Sequence, residues 1–239
     1  MFPKKRMKFS ERTGNLVTIF RPYSPIAEEF RSIRSNIQFQ TIDQSFSSLM
    51  VTSAAPGEGK STMAANIAAV FAAQGKKVLL IDADLRNPSL HFFFNCSNRE
   101  GLTTLLSEDP DSTDGLIHRT YQRNLFFLPT GTLPPNPSEL LSSSKMDDWM
   151  VLLEAEFDLV IYDLPPIVTV TDAQIMAGKT DGTIFVVRNN VTDRKTMMKA
   201  KQLLELAQAN VIGVLFNGKK KERKNQDVYG YYGSAGGVR

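Results

Sequence analysis

Short apolar runs alternate with segments of helical periodicity along most of this chain, and this alternation limits the fold more than any other feature. The apolar runs are residues 49–52, 78–82, 125–128, 159–163, 183–187 and 211–216. The helical segments are residues 61–73, 138–155, 172–177 and 193–209. Buried strands separated by helices indicate a mostly parallel sheet covered by helices on both faces. We therefore predict an α/β fold and expect ligands at the carboxyl ends of the strands.

The loop after the first predicted strand has the composition of a phosphate-binding loop. Residues 54–61 read AAPGEGKS and match the P-loop spacing, with Ala54 where the first glycine usually stands. Gly57 and Gly59 allow the backbone to turn so that successive N–H groups face phosphates. The helix that follows adds the positive end of its dipole. The fold is therefore predicted to be that of a P-loop NTPase.

Side chains at the end of this loop suit a magnesium nucleotide. Lys60 can reach the β- and γ-phosphates, the Ser61 hydroxyl can ligate Mg²⁺, and Thr62 lies close to the α-phosphate. Asn217, at the end of the last predicted strand, either hydrogen-bonds adenine or caps the turn with Gly218. The predicted nucleotide-binding residues are Gly57, Glu58, Gly59, Lys60, Ser61, Thr62 and Asn217.

Two other predicted strands end in carboxylates. Asp82 and Asp84 follow one, and Asp163 follows the other. Carboxylates hold the waters and oxygen ligands that Mg²⁺ prefers, so Ser61, Asp82 and Asp163 form the predicted metal set. A phosphoryl acceptor needs a carboxylate to take its proton, and Asp82 or Asp84 suits that role. The alternative for Asp84 is a helix cap or an ion pair with Arg86.

The charge of the chain is concentrated near its ends. The net charge is +3. Residues 1–12 carry five bases against one acid, and residues 219–224 (KKKERK) do the same, which leaves −5 for the rest. A nucleic-acid binder usually carries its positive charge on the folded face that it uses, so we expect no nucleic-acid partner. We divide the chain into a basic arm (1–22), a P-loop domain (23–218) and a basic, tyrosine-rich tail (219–239).

Composition excludes several other classes. The apolar runs stay well below the ~18 residues of a membrane helix. A secretory signal is not expected, because no apolar stretch follows the basic start of the chain. One cysteine cannot form an internal disulfide, and two histidines make a dedicated metal cluster improbable.

Two further segments bear on assembly and on acceptors. A helix is predicted from Pro25, capped by Ser24, with Glu28, Arg31 and Arg34 on its polar side. Near the C-terminus, a glycine-rich segment holds three of the six tyrosines, Tyr229, Tyr231 and Tyr232. Glycines on both sides disfavour a helix or strand in this segment, so its tyrosines are free either to enter an active site or to pack on a partner.

Three segments together resemble the bacterial tyrosine kinase (BY-kinase) family: APGEGKS at residues 55–61, IDADLR at 81–86 and IYDLPP at 161–166. The resemblance extends from about residue 22 to the C-terminus. It implies that Asp82 is the catalytic base and helps to hold magnesium, that Asp84 is the second acid of the Walker A′ segment, and that Asp163 is the Walker B acid. It also implies catalysis by Lys60 with ATP and Mg²⁺.

The resemblance implies an assembly as well. Glu28, Arg31 and Arg34 match the family's ExxRxxR oligomerisation motif, which implies a ring-shaped homo-oligomer. The tail tyrosines Tyr229, Tyr231 and Tyr232 are the implied phosphoacceptors, phosphorylated by a neighbouring subunit. The expected form is the detached cytoplasmic kinase, recruited to the inner face of the membrane by a separate adaptor that activates it. The implied pathway is capsule or exopolysaccharide synthesis, with other protein tyrosines as possible substrates.

The main alternative is a positioning or partitioning P-loop ATPase that hydrolyses ATP without a protein acceptor. Such ATPases resemble one another in a second lysine just after the first residue of the motif, where this chain has Ala55 followed by Pro56. Division-site members also end in an amphipathic membrane helix, which the sequence GSAGGVR cannot form. A non-enzymatic binding module is a third interpretation, and the set of Lys60, Asp82 and Asp163 argues against it.

Overall fold

A seven-stranded sheet forms the centre of the chain in a computed structural model that describes residues 15–41, 46–108 and 113–218. The strands are β1 Ser48–Ser53, β2 Val78–Asp82, β3 His118–Arg119, β4 Leu125–Leu128, β5 Leu159–Asp163, β6 Gly182–Arg188 and β7 Val211–Asn217. Their order is β3-β4-β2-β5-β1-β6-β7, and every neighbouring pair is parallel except β3 with β4. The predicted mostly parallel sheet is confirmed.

Nine helices are present in the described ranges, and they cover both faces of the sheet. They are α1 Val17–Phe20, α2 Pro25–Gln40, α3 Lys60–Ala73, α4 Leu90–Phe94, α5 Leu102–Glu108, α6 Pro137–Ser142, α7 Ser144–Glu156, α8 Asp172–Ala177 and α9 Arg194–Leu206. One apolar core lies under α1 to α4 and a second under α5 to α9. β1, β2 and β5 are buried along their whole length because alternate side chains enter the two cores.

The helix α3 places the phosphate-binding loop against the sheet. It begins at Lys60 directly after Gly59, whose φ of 93° only glycine adopts without strain. The helix is rich in alanine and is buried from Ala64 to Ala72. The buried face of α3 packs in one core with β1, so the loop between them lies at the carboxyl end of that strand.

Two parts of the fold differ from the sequence prediction. The helix predicted over residues 138–155 is interrupted at Ser143, which is extended (φ −69°, ψ 154°) and whose hydroxyl accepts a hydrogen bond from the Met146 N–H as the cap of α7. The short elements α1, α4, α5 and β3 were not predicted. The cap of α2 by Ser24 is confirmed, with Pro25 in the first position.

The last part of the predicted arm, from Leu16 to Phe20, contacts the P-loop domain. Leu16 is fully buried, and the Thr18 N–H and hydroxyl both donate to Asn66 Oδ1 of α3, at 3.0 and 2.9 Å. Residues 16–20 therefore pack on α3 and contribute to the core beneath it. The predictions for residues 1–14 and 219–239, including the tyrosine cluster and the basic runs, concern residues outside the described ranges.

None of the helices in the described ranges is long and apolar enough to span a membrane.

Candidate active site

The phosphate-binding loop connects β1 to α3 and is shaped by its two glycines. Gly57 and Gly59 have φ angles of 78° and 93°. At Gly59 the space is also closed, because a Cβ atom there would lie 2.3 Å from Asn217 Nδ2. That amide donates to the Glu58 carbonyl oxygen at 2.8 Å. Gly59 is thus required by both its backbone angle and the approach of β7, and this contact gives Asn217 a role in holding the loop.

Glu58, a predicted nucleotide-binding residue, directs its side chain away from the phosphate side of the loop. Its carboxylate is buried and accepts hydrogen bonds from the Ala54 and Ala55 N–H groups, at 2.8 and 3.0 Å. It also accepts one from the Thr192 hydroxyl. The side chain therefore braces the loop from within, and only the Glu58 backbone remains available to phosphates.

The segment between β6 and α9 contributes residues that the sequence analysis missed. The Arg188 guanidinium donates to the Gly57 carbonyl oxygen at 2.8 Å, and Thr192 contacts Glu58. Both residues lie more than 130 positions beyond the loop in the sequence. No local spacing in the sequence links these residues to the loop. They reach it because β6 pairs with β1 in the sheet.

Lys60 lies between two of the predicted carboxylates. Its Nζ atom is 3.0 Å from Asp84 Oδ2 and 3.3 Å from Asp163 Oδ1. It is also 3.3 Å from the Ser61 hydroxyl oxygen. Burial opposes the charge on Lys60, but attraction by Asp163, Asp84 and Asp82 outweighs it and raises the pKa of the ammonium well above its usual value. Lys60 is therefore a permanent cation at the carboxyl end of the sheet.

Asp82 and Asp163 lie side by side at the ends of β2 and β5, in register with each other. Asp82 Oδ2 accepts from the Ser89 and Leu90 N–H groups, at 3.0 and 2.9 Å. Burial, and then the neighbouring charge of Asp163, raises the pKa of Asp82 to about 7. Burial also raises the pKa of Asp163, against the attraction of Lys60 and a hydrogen bond from Ser61.

Each of these two carboxylates has one oxygen that is not satisfied. Asp82 Oδ1 and Asp163 Oδ2 are buried and find no hydrogen-bond partner within the described part of the chain. A buried carboxylate oxygen without a donor costs free energy unless a ligand satisfies it. Together with the Ser61 hydroxyl, these oxygens fit the hard, oxygen-seeking Mg²⁺ ion that accompanies nucleotide phosphates. The predicted metal set of Ser61, Asp82 and Asp163 is brought together.

Asp84 has a different environment. One of its oxygens accepts from the Asn87 N–H at 3.0 Å and the other pairs with Lys60. The alternative pairing of Asp84 with Arg86 is not formed. Arg86 instead donates twice to the fully buried Asp172, both times at 2.9 Å. Arg86 therefore ties the segment after β2 to α8.

A cavity of about 570 Å³ opens beside these residues. Its floor is the phosphate-binding loop, including Gly57, Lys60, Ser61 and Thr62. Its other walls are the segments that follow β2 and β5, from Asp84 to Phe93 and from Pro165 to Val170. Of the predicted catalytic residues, Lys60 and Asp84 line this cavity, and Asp82 and Asp163 are buried beside Lys60.

The polar side of α2 is only partly free. Arg31 pairs with Glu28 at 2.5 Å on the exposed surface and donates to the Pro22 carbonyl oxygen at 2.9 Å. Arg34 is half-buried and donates to the Val70 carbonyl oxygen of α3 at 3.2 Å. The Arg34 guanidinium is therefore directed to the end of α3, whereas the Glu28–Arg31 pair lies on the exposed surface.

Residues 49–231 match the family model described as the CobQ/CobB/MinD/ParA nucleotide binding domain. Together with the loop and its acidic neighbours, this match defines the chain as a P-loop nucleotide-binding protein of that class.

Three similar proteins narrow the class further. Tyrosine-protein kinase YwqD of Bacillus subtilis (strain 168) is 42% identical over 230 residues, covering 96% of each chain. The putative tyrosine-protein kinase CapB of Staphylococcus aureus is 40% identical, over 89% of this chain and 92% of that protein. The solved kinase domain of Escherichia coli tyrosine kinase ETK aligns with a TM-score of 0.83 and 30% identity, covering 95% of this chain and 89% of that one. The chain belongs to the bacterial tyrosine kinase family.

Proposed function

We propose that this chain transfers the γ-phosphoryl group of Mg·ATP to protein tyrosines, among them Tyr229, Tyr231 and Tyr232 of a neighbouring copy. The observation that carries the proposal is the position of Lys60 between Asp84 and Asp163, with Asp82 beside them, on the cavity next to the phosphate-binding loop. The tail tyrosines lie outside the described residues, so their part in the proposal depends on the sequence.

The phosphate side of the reaction is assigned to the loop and to Lys60. Backbone N–H groups of the loop and the start of α3 attract phosphate oxygens. Lys60 remains charged because three carboxylates surround it, and it shifts from them to the phosphates when these enter. Asp82, Asp163 and Ser61 would hold Mg²⁺, which when bound neutralises phosphate charge and makes the γ-phosphorus more electrophilic.

The acceptor side is assigned to Asp82. Its pKa of about 7 in the nucleotide-free chain suits a group that accepts a proton near neutral pH. Both oxygens of Asp84 are engaged by Asn87 and Lys60. In the proposed step the tyrosine O–H proton passes to Asp82 and the phenol oxygen bonds to the γ-phosphorus. The bond from that phosphorus to the bridging oxygen breaks, and ADP leaves.

The cellular setting in this proposal is a membrane-associated one. The chain works as a ring-shaped homo-oligomer in which α2, with Glu28 and Arg31, contacts a neighbour. The cytoplasmic segment of a membrane adaptor activates it and holds it at the inner face of the membrane. The process that it regulates is capsule or exopolysaccharide synthesis. These points are supported by the family resemblance and by the exposed Glu28–Arg31 pair on α2.

The test is to incubate the full chain with Mg·ATP and an activating adaptor segment and to map phosphotyrosine by mass spectrometry. We expect label on Tyr229, Tyr231 and Tyr232. Release of phosphate with no labelled tyrosine would instead support the positioning ATPase, which shares the sheet and the loop.

A mixing experiment tests transfer between copies. A Lys60→Met chain cannot label itself, and a chain with Tyr229, Tyr231 and Tyr232 all changed to Phe has an intact site but no tail acceptors. Label that appears on the Lys60→Met chain only in the mixture supports transfer in trans. If the Lys60→Met chain stays unlabelled while the wild type is labelled, transfer occurs within one chain.

A further inference from the structure

An apolar wall lines part of the active-site cavity, although Lys60, Asp84 and Arg86 line other parts of it. It is built by two segments that follow neighbouring strands, one after β2 and one after β5. Its apolar members are Pro88, Phe92, Phe93, Pro165, Pro166 and Val170. Phe93 is buried, whereas Phe92 is 46% exposed at the cavity. A large aromatic side chain that is half-exposed beside a reactive site gains free energy when a ligand covers it.

The charged side chains that line the same cavity are already paired. Lys60 lies between Asp84 and Asp163, and Arg86 is held by two hydrogen bonds to the buried Asp172. Because these charges are already paired, the wall recognises a ligand by its shape and by apolar contact. The Arg86–Asp172 pair also fixes the segment after β2, so the wall is a preformed surface.

The topology assigns the two ligands of the reaction to opposite sides of β1. β6 and β7 lie on one side and place Arg188 and Asn217 against the phosphate-binding loop. β5 and β2 lie on the other side and carry the acids and the apolar wall. A nucleotide bound on the loop with its base toward β7 directs its terminal phosphate toward Asp82 and Asp163. The acceptor must then approach along the apolar wall.

We infer that this wall is the acceptor subsite and that it selects an aromatic ring, with Phe92 as its main contact. The inference deepens the proposed function and depends on it. A tyrosine carries its hydroxyl at the far end of a flat apolar ring, so the ring can lie against Phe92 and the prolines while the oxygen points toward the carboxylates around Lys60. Serine and threonine carry the hydroxyl next to the backbone and offer no ring to this wall.

The test uses a synthetic peptide of residues 225–239 (NQDVYGYYGSAGGVR) added to the full chain with its activating adaptor segment. In Phe92→Ala the KM for the peptide should rise roughly three- to tenfold, the range expected for losing one aromatic pair. The KM for ATP should change much less. Phe92→Leu should be intermediate because it keeps an apolar contact without the ring. Phe39→Ala is the matched control, since Phe39 is an exposed ring on α2 at 69%.

Inhibition by peptides distinguishes recognition of the aromatic ring from nonspecific binding to the apolar wall. A peptide with phenylalanine at all three tyrosine positions should compete with the acceptor peptide, and a peptide with serine there should not. Equal inhibition by the two, an unchanged peptide KM in Phe92→Ala, or equal rises in both KM values would overturn the subsite. Failure of the proposed function looks different, because the wild-type chain would then label no tyrosine at all.

Discussion

Two aspartates at opposite ends of the central sheet differ in their hydrogen bonding and in the direction in which their pKa values are shifted. Asp181 precedes β6 at the amino end, where its Oδ2 atom accepts four hydrogen bonds. The Ser47 and Ser48 N–H groups donate at 2.9 Å each, and the two serine hydroxyls at 3.1 and 3.0 Å. Partial burial alone would raise the pKa of Asp181, but these donors outweigh it and lower the pKa.

Asp82, at the carboxyl end, has the reverse balance. It is more deeply buried, it faces Asp163, and one of its oxygens lacks a donor in the described ranges, so its pKa is raised. The difference shows which end of the sheet is built for stability and which for a ligand. The donors around Asp181 stabilise the fold, whereas the open acceptors of Asp82 and Asp163 cost stability that a bound ligand restores.

The largest expected effect comes from removing the cation at the carboxyl end. Lys60→Met should reduce tyrosine labelling at least about 10³-fold, because the terminal phosphate loses its counter-charge. It should also lower the free energy of unfolding, since three carboxylates then face one another without compensation. Labelling is measured by phosphotyrosine mapping and stability by denaturant unfolding. Lys199→Met, at an exposed position on α9, is the control. Labelling that survives in Lys60→Met would show that the loop has been assigned wrongly.

Asp82→Asn should separate activity from stability. The amide oxygen can still accept from Ser89 and Leu90, but it cannot take a proton, so labelling should fall about 10²-fold or more. Without nucleotide, the free energy of unfolding should rise by about 1 to 2 kcal/mol, because a buried charge beside Asp163 is removed while Lys60 keeps its two partners. If the nucleotide-free variant is less stable than the wild type, the charge of Asp82 does not destabilise the carboxyl end of the sheet.

The pH dependence follows from the same carboxylate. The folded pKa of Asp82 is about 7, against 3.8 for an unperturbed side chain. Between these values the folded chain keeps a proton that the unfolded chain has released. The contribution of Asp82 to stability is therefore full below pH 3.8 and is lost as the pH rises through about 7. The stability difference between Asp82→Asn and the wild type should grow from pH 5 to pH 8 in nucleotide-free protein. A constant difference across this range would contradict the raised pKa.

The sequence predicts the carboxyl end of the sheet better than its surroundings. Gly57, Gly59 and Lys60 follow one another in the chain, and Asp82 and Asp163 each end an apolar run, so local patterns suffice to find them. Parallel pairing of the strands then brings the acids together, independently of the conformation of the loops. The roles of Glu58 and Thr192 depend instead on a contact across 134 residues, which no local pattern encodes. The break at Ser143 was missed because a serine within an apolar periodicity is compatible with a helix interior as well as with a cap.

Asp181→Ala tests the amino end. It removes four hydrogen bonds, two of them from backbone N–H groups at the start of β1, and should lower the free energy of unfolding by about 2 to 3 kcal/mol. Tyrosine labelling below the unfolding temperature should change little, since the residue lies at the end of the sheet opposite the cavity. Asp148→Ala, at an exposed position on α7, controls for the loss of a surface charge. A loss of labelling as large as that of Asp82→Asn would remove the distinction between the two ends.

The smallest expected effect is at Glu58, a satisfied carboxylate within the otherwise open end. Glu58→Ala leaves the Ala54 and Ala55 N–H groups and the Thr192 hydroxyl without their shared acceptor, so the loop loses its preformed shape. The KM for ATP should rise about three- to tenfold, equivalent to roughly 1 kcal/mol, with a smaller change in kcat. Glu58→Gln should restore most of the affinity, because its amide oxygen can face the two N–H groups while its NH₂ group donates to Thr192. A glutamine variant as impaired as the alanine variant would mean that the negative charge of Glu58, rather than its hydrogen bonds, organises the loop. Glu58 would then resemble Asp82, whose charge serves the ligand, and not Asp181, whose hydrogen bonds stabilise the fold.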